Sequence, residues 1–397
     1  MTRMEETTVR RFCGSVLVLT ALVVLVTLTG CKDVKPPEPE TKEVKVPVDR
    51  TALKKAAREA IKRGIKYLDN TQNREQGTWD AHPGVTGIVT LAFLKNIEGY
   101  NETDPVVQKA VEYLVALQKS DGAIYQDELA NYCTAIAVQV LAETKNPARA
   151  EALKAARDYL IRSQLDEGEG YNQAKNPGYG GSGYGGTVRP DMSNTQITAD
   201  ALKAAEDAGL ERDSEAWKRM QVFMTRCQNL SETNDQKFAS NDGGAVYMPW
   251  PRRGSKAGTV ELPDGRQGLR SYGSMTYAFL KSMIYANVSK DDRRVQAAYD
   301  WIRKHYTLEE NPGMRQQGLY YYYHTMAKAL RAMGVDEVVD ADGRRHDWRR
   351  DIVGALLRLQ HKDGSWSNPN DRWREGSPNL VTAFAILTLE EAIAEVP

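Results

Sequence analysis

The chain has 397 residues, with 53 Lys and Arg against 53 Asp and Glu, and so carries no formal net charge at pH 7. This balance, without any long basic run, argues against a nucleic-acid partner, because such binding depends on neutralising phosphates. Only four cysteines are present, at positions 13, 31, 133 and 227, which argues against a disulfide framework.

The first thirty residues have the pattern of a bacterial lipoprotein signal peptide. Arg10 and Arg11 precede an apolar run, which ends in Leu28-Thr29-Gly30-Cys31. The run is shorter than the ~20 residues of a membrane-spanning helix and stops at small residues before a cysteine. We expect cleavage of residues 1–30 and lipidation of Cys31. The protein would then be exported and anchored to a bacterial membrane, on the periplasmic or cell-surface side.

Residues 31–50 differ in composition from the chain that follows. They are mostly Pro, Glu, Lys and Val and show no apolar periodicity. Such a segment cannot bury enough surface to fold by itself. The sequence therefore predicts a flexible tether at 31–50 and a folded domain at 51–397.

The folded region contains an internal repeat. Tyr67, Tyr113 and Tyr159 are each followed by Leu and, five residues later, by Gln. Weaker copies continue to the end of the chain, so that six repeats are marked by Tyr67, Tyr113, Tyr159, Phe223, Trp301 and Ala355. Periods of this length are typical of stacked helix pairs.

Each repeat has a helix, a turn with Gly and an aromatic residue, and a second helix. The turn of repeat three is predicted at Gly170-Tyr171 and that of repeat five around Gly318. The second helices share a threonine, at Thr86, Thr134, Thr195, Thr276, Thr325 and Thr382. The first helices carry charge on one face, whereas the second are apolar nearly all round, as expected for an inner, buried layer. The pattern predicts an all-α fold, an α6/α6 toroid of six helix-turn-helix repeats.

Repeats three and four are longer than the others. The added residues include a glycine-rich segment at 178–186 and a polar segment at 231–270. Long insertions into a regular array usually serve a functional site. We expect these two segments to lie near one.

The last repeat contains the most specific motif, Gln360-His361-Lys362-Asp363-Gly364-Ser365-Trp366. It resembles the QW motif of the terpenoid cyclase and protein prenyltransferase superfamily, the squalene-cyclase and prenyltransferase repeat proteins. The resemblance extends over roughly residues 52–395 and implies the toroid fold with a central cavity. Activity does not follow from it, since one fold hosts many functions.

The resemblance implies an acid site at the start of one inner helix. Class II terpene cyclases open that helix with Asp-x-Asp-Asp-Thr-Ala, whose middle Asp donates the proton. Here the register reads Asp191-Met192-Ser193-Asn194-Thr195-Gln196, so a serine stands at the donor position. A hydroxyl is far too weak an acid to protonate an alkene. Alternatively, Ser193 and Gln196 form a capping box that only begins the helix.

Protein prenyltransferases hold zinc with Asp, Cys and His, the His lying in a Tyr-His-Thr stretch. Tyr323-His324-Thr325 resembles that stretch, but the expected Asp and Cys partners are missing near Tyr272. One histidine is not a catalytic zinc site, which takes three protein ligands. We expect neither a metal nor another cofactor.

Polar residues nevertheless collect in repeats three and five. Asn194 and His324 occupy the position just before the shared threonine, where the other repeats have Val, Cys or Met. The predicted cavity site consists of Asp191, Ser193, Asn194, Tyr272, Tyr323 and His324. An equally good interpretation is that these are packed, hydrogen-bonded core residues.

Three functions remain open, and the catalytic residues are unknown. The first is a membrane-anchored, cyclase-like protein without cyclase activity, whose central cavity holds an isoprenoid or another apolar ligand. The second is a non-catalytic interaction scaffold at the membrane, with a protein partner that the sequence does not identify. The third is a glycan-active α/α barrel, although no clear acidic pair marks the inner-helix starts.

Overall fold

The computed structural model describes residues 46–96, 99–185 and 189–394. The predicted signal peptide, Cys31 and most of the tether lie outside these residues. The described chain is mostly helical, which confirms the all-α prediction. It contains twelve α-helices: α1 Arg50–Thr71, α2 Pro83–Leu94, α3 Pro105–Ala116, α4 Ala130–Thr144, α5 Ala150–Arg162, α6 Met192–Asp207, α7 Ser214–Arg226, α8 Gly273–Tyr285, α9 Arg293–Lys304, α10 Leu319–Met333, α11 Trp348–Leu359 and α12 Pro378–Ile393. None of these helices is both long and apolar enough to cross a membrane.

Two short antiparallel hairpins were not predicted. Strands β1 (Thr259–Glu261) and β2 (Gln267–Leu269) lie in the polar segment 231–270. Strands β3 (Glu337–Val339) and β4 (Arg345–Asp347) connect α10 to α11. Each strand has only three residues, which is too short for an alternating pattern to be recognised.

The even-numbered helices form the buried layer. Almost every residue of α2, α4 and α12 is buried, whereas the odd-numbered helices bury one face. The even helices contact one another in order, α2 with α4, α4 with α6, and so on to α12, which contacts α2 again. Each odd helix packs against at least one of its even neighbours in the chain, and α1 also contacts α12.

The repeated glutamine joins neighbouring repeats. Gln118 Nε2 donates to the carbonyl of Gly122 in its own turn, at 3.3 Å, and to that of Ala152 in the next odd helix, at 2.9 Å. Gln360 makes the same pair of bonds, to Gly364 and to Ala60 of α1, each at 2.9 Å. Equivalent bonds are made by Gln72, Gln164 and Gln228. The last repeat is therefore joined to the first by the bonds that join consecutive repeats.

The repeated threonine ties each turn to the following helix. Thr86 Oγ1 accepts the backbone N–H of Trp79 at 3.1 Å, and Thr382 accepts that of Trp366 at 3.0 Å. Thr134, Thr195 and Thr276 accept in the same way from Ile124, Ser182 and Ala245. A hydroxyl can accept this bond while donating to its own helix, which explains the shared residue type.

Two details of the predicted repeat are wrong. In repeat three the turn is at Gly180–Ser182, where Gln164 and Thr195 bind, and Gly170-Tyr171 belongs to an insertion before it. In repeat five, Thr325 does not hold a turn; its hydroxyl bonds only to carbonyls of its own helix. Tyr322 and Tyr323 lie four and five residues after the helix N-cap, the positions that the repeated threonine takes in the other even helices, and their hydroxyls donate to the carbonyls of Thr307 and Leu308. Tyrosines therefore take the place of the repeated threonine there.

Candidate functional site

A cavity of about 280 Å³ opens between the starts of the even helices. We call it the aromatic cavity, because most of its wall is aromatic or aliphatic: Tyr132, Tyr184, Tyr247, Tyr272, Tyr321, Trp373 and Phe384, with Val85, Ile88, Leu129, Met275 and Leu380. Its volume is close to the lower end of the range of small-molecule pockets, ~300–1,000 Å³.

One stripe of each even helix faces the aromatic cavity. The position two residues before the repeated threonine lines it in five repeats, as Gly84, Tyr132, Ser193, Ser274 and Leu380. In α10 the residue that lines the cavity is Tyr321, two residues before Tyr323. Further along this stripe, at helical spacing, come Ile88 and Phe384.

Asp191 lies directly behind this wall. Its side chain is the N-cap of α6, where Oδ1 accepts the N–H of Asn194 at 2.9 Å and the hydroxyl of Ser193 at 2.6 Å. Oδ2 accepts the amide of Asn194 at 2.9 Å. The N-cap residue of α6 is Asp191 and not Ser193. The capping-box alternative therefore named the wrong residue as the cap. Burial raises the pKa of Asp191, although the bonds from Ser193 and Asn194 oppose the rise.

The enlarged repeats bring two tyrosines to this point. Tyr184 comes from the glycine-rich segment and Tyr247 from the polar segment 231–270, and their hydroxyls lie 3.1 Å apart. The backbone N–H of Met192 donates to the carbonyl of Tyr247 at 2.7 Å, which holds the insertion against the start of α6. The insertions therefore contribute wall residues.

The opening of the aromatic cavity is bordered by the segment before α12. Trp373 and Arg374 both have left-handed backbone conformations, with φ of 58° and 66°, and Trp373 is 45% exposed. Such conformations are unfavourable for non-glycine residues and persist where the surrounding structure holds them. His82 lies on the same cavity wall and caps α2, because its Nδ1 accepts the N–H groups of Gly84 and Val85. Burial, with Arg374 nearby, lowers the pKa of His82.

Glu375 is a buried carboxyl on this wall, with 1% of its surface exposed. It accepts the backbone N–H groups of Tyr320 and Tyr321, at 3.3 and 2.8 Å, and the amide of Asn368 at 2.6 Å. Burial raises the pKa of Glu375 to about 7, against the effect of these bonds. This carboxyl thus changes charge near neutral pH beside the cavity.

A second, smaller cavity of about 20 Å³ lies further along the even helices. We call it the polar cavity, because Lys95, Gln139, Gln196, Asp200, His324, Lys328 and Glu391 line it. Ile88, Tyr132, Tyr321 and Phe384 line both cavities. These four side chains form the partition between them.

The predicted site residues do not form one cluster. Ser193 and Tyr272 line the aromatic cavity, with Asp191 and Asn194 behind Ser193. His324 lines the polar cavity instead. Tyr323 lines neither cavity, since its hydroxyl is bound at the turn before α10. Asn194 and His324 were chosen for their position one before the repeated threonine, and neither lines the aromatic cavity, although Val85 and Met275 at that position do.

Several site residues were not predicted. Tyr132, Ser274 and Phe384 follow from the helical stripe once its register is known, so a signal for them exists in the repeat. The positions of Tyr184, Tyr247, Trp373 and Glu375 depend on irregular segments, for which the sequence carries no comparable signal. Among the described residues, no group of three or more His, Cys, Asp or Glu side chains is arranged to hold a metal ion.

Comparison with known proteins supports the resemblance. The family model for the squalene-hopene cyclase C-terminal domain matches residues 84–248. A probable squalene-hopene cyclase of Sinorhizobium fredii is 36% identical over 73 residues, which is 18% of this chain and only 11% of that protein. The type II terpene cyclase MstE from Scytonema, solved with geranylgeranyl dihydroxybenzoate, matches 86% of this chain and 98% of its own, with a TM-score of 0.52 and 15% identity.

Together these matches support a terpenoid cyclase-like superfamily for the chain. The superfamily fold is not confined to cyclases among the structural neighbours. An α-1,6-mannanase variant from Salegentibacter, solved with α-1,6-mannotriose, covers 85% of this chain and 98% of its own, with a TM-score of 0.56 and 8% identity. At these identities the structural matches indicate the fold and not the activity.

Proposed function

We propose that this terpenoid cyclase-like protein is an exported lipoprotein, anchored through lipidated Cys31, with an α6/α6 toroid of six helix-turn-helix repeats as its body. The toroid is supported by the cyclic contacts of the even helices and by the bond from Gln360 to α1. The anchor is supported by the sequence Leu28-Thr29-Gly30-Cys31. The partner through this anchor is the membrane.

The proposed function of the toroid is to bind an isoprenoid or another apolar ligand in the aromatic cavity. Tyrosine and phenylalanine rings and aliphatic side chains supply the wall, so an apolar ligand exchanges water for apolar contacts. The hydroxyls of Tyr184 and Tyr247 bond to each other, so the apolar rings of these residues are the parts that contact a ligand. A ligand bound here stays in place through burial more than through charge.

We further propose that the cavity does not start cyclisation by protonation. The observation that carries this point is the geometry at the start of α6: Ser193 faces the cavity, and the Asp191 carboxyl behind it is engaged by three donors. Burial raises the pKa of Asp191, whereas protonation of an alkene requires a strong acid. The two residues therefore serve the helix start.

The test for ligand binding is mass spectrometry of organic extracts from the purified full chain. We expect an apolar ligand in the unaltered protein and a loss of most of it in Leu380→Glu, which places a carboxyl in the cavity wall. Val48→Glu is the matched control, because Val48 is 79% exposed and lies outside the cavity. Equal ligand content in all three proteins, or none in any, contradicts the binding proposal; an empty cavity favours the scaffold.

The test for cyclisation is incubation of the full chain with squalene and with shorter polyprenyl substrates. We expect no cyclised product above a boiled control. Product that disappears in Asp191→Asn would contradict the proposal and make Asp191 the acid.

A glycan-active barrel is the second candidate, favoured by one observation. Glu375 is a buried carboxyl on the cavity wall with a pKa of about 7, next to the half-exposed ring of Trp373. Such a carboxyl fits a general acid, and an aromatic ring at an opening fits a sugar face. Against this, its oxygens already accept three N–H groups. Release of sugars from α-mannan oligosaccharides, abolished by Glu375→Gln, would support the second candidate over the first.

A further inference from the structure

A buried group of three charges lies beside the polar cavity. Lys281 of α8 donates to both oxygens of Asp200 of α6, at 2.6 and 2.7 Å, and Lys328 of α10 lies 3.0 Å from the same carboxylate. The side chains of Lys281, Asp200 and Lys328 are 0%, 4% and 12% exposed. Lys281 also donates to Gln196 at 2.6 Å.

Lys281 and Asp200 are both charged at neutral pH. Burial lowers the pKa of Lys281, which Asp200 partly restores, to about 8. Burial alone would raise the pKa of Asp200, but the two lysines lower it to about 2. Two ammonium groups therefore share one carboxylate, which leaves one uncompensated positive charge. An uncompensated buried charge is expensive, so a partner is expected.

The neighbouring charges do not compensate this surplus. At the rim of the polar cavity Lys95 is paired with Glu143, and Glu391 is paired with Arg331 at 2.8 Å. Each of these pairs is neutral by itself. The surplus of one charge therefore remains when the rim is included.

A further unpaired polar atom lies at the wall of the polar cavity. Nδ1 of His324 is buried and has no hydrogen-bond partner in the described structure. Burial, with Lys328 nearby, lowers the pKa of His324 well below its usual value, so the ring is neutral and carries one N–H. The cavity of about 20 Å³ has room for a group slightly larger than a water molecule.

We propose that the polar cavity binds a single negatively charged group of small size, a carboxylate or a halide, held by Lys328 and His324. A diphosphate does not fit this site, because it is larger than the cavity and carries more negative charge than the single surplus positive charge can balance. Two sources supply the proposed group: a free small anion, or the carboxylate end of an apolar acid whose chain lies in the aromatic cavity. The second source rests on the proposed function, since only the partition of four side chains separates the cavities.

The first experiment tests the free anion. The full chain in detergent at pH 7 is titrated with bromide at constant ionic strength, and the thermal midpoint and the bromide NMR linewidth are measured. We expect bromide to raise the midpoint and broaden the line for the unaltered chain. Lys328→Met removes the surplus charge and should abolish both effects. Lys203→Met is the matched control, because Lys203 is a lysine of α6 on the surface, paired with Asp207.

The second experiment tests the carboxylate of a ligand. Geranic acid and geraniol share one isoprenoid skeleton and differ in the charged end, and their affinities are compared by calorimetry. We expect geranate to bind at least tenfold more tightly than geraniol to the unaltered chain and to Lys203→Met. The preference should vanish in Lys328→Met.

The outcomes separate this proposal from the proposed function. Lys328-dependent binding of bromide or of geranate supports the anion site and identifies its source. Equal binding of geranate and geraniol, together with no bromide effect, overturns the site but leaves the apolar cavity intact. Bromide binding without binding of either terpenoid keeps the site and contradicts the proposed ligand. If Lys328→Met does not fold, an anomalous difference map of the unaltered chain with bromide replaces it. A bromide peak beside Lys328 and His324 supports the site, and the absence of a peak there overturns it.

Discussion

At the scale of single residues, two buried carboxyls accept the backbone N–H groups at the starts of helices. Asp191 caps α6 and Glu375 accepts the first N–H groups of α10, each beside the aromatic cavity. A carboxylate near a helix N-terminus is favoured by the unpaired N–H groups, while burial disfavours its charge. For Glu375 burial dominates, since the pKa is raised to about 7.

The raised pKa of Glu375 predicts that the free energy of unfolding changes with pH as this residue titrates. Its folded pKa of about 7 is above the ordinary 4.5, so its stabilising effect is complete below pH 4.5 and is lost as the pH rises through 7. Between pH 4.5 and 8, the free energy of unfolding should fall by roughly 3 kcal/mol more in the unaltered chain than in Glu375→Gln. Urea unfolding at both pH values measures this difference. Parallel pH profiles for the two proteins would show that Glu375 does not titrate in this range.

At the scale of the elements, the repeat is held by close backbone contacts at its turns. Gly122 has φ of +93°, and a Cβ there would lie 2.2 Å from the carbonyl oxygen of Ala155 in α5. Gly77, Gly180, Gly243 and Gly364 face the next odd helix in the same way. Glycine is therefore required at this position for two reasons: its positive φ and the close approach of the neighbouring helix.

A pair of substitutions separates these two requirements. Gly209 also has positive φ, +97°, but nothing lies within 4 Å of a Cβ built there. Gly122→Ala and Gly209→Ala share the backbone strain, and only the first adds a clash. We expect Gly122→Ala to lower the free energy of unfolding by about 1–3 kcal/mol more than Gly209→Ala does. Equal losses in denaturant unfolding would mean that the turn shifts freely and that the close approach is not needed for packing.

At the scale of the whole molecule, we propose a toroid of helices that is held at a membrane by its N-terminus. The anchor lies outside the described residues and rests on the sequence before Cys31. Cys31→Ser should abolish labelling by radioactive palmitate and leave an uncleaved precursor, because processing follows lipidation of that cysteine. Cys13→Ser is the control, since Cys13 lies within the predicted signal peptide and should not affect labelling. Normal labelling of Cys31→Ser would exclude this residue as the anchor.

The sequence by itself determined the helical class and most of the repeat. Glycine, glutamine and threonine recur because each has a local task that only its residue type performs: positive φ, a side-chain amide between two carbonyls, and a hydroxyl that accepts from a turn. Such tasks leave a periodic signal. The inner and outer helices are also separable from their apolar patterns alone.

Only the tertiary structure decided which residues share a cavity. Asn194 and His324 have equivalent positions in the predicted repeat, yet Asn194 bonds to Asp191 and His324 lines the polar cavity. Asp200, Lys281 and Lys328 lie on three helices, and Trp373 and Glu375 are placed by an irregular segment. The sequence shows no pattern for these contacts, since they depend on how far each helix is rotated and shifted against its neighbours. Side-chain packing among all the helices determines these rotations and shifts.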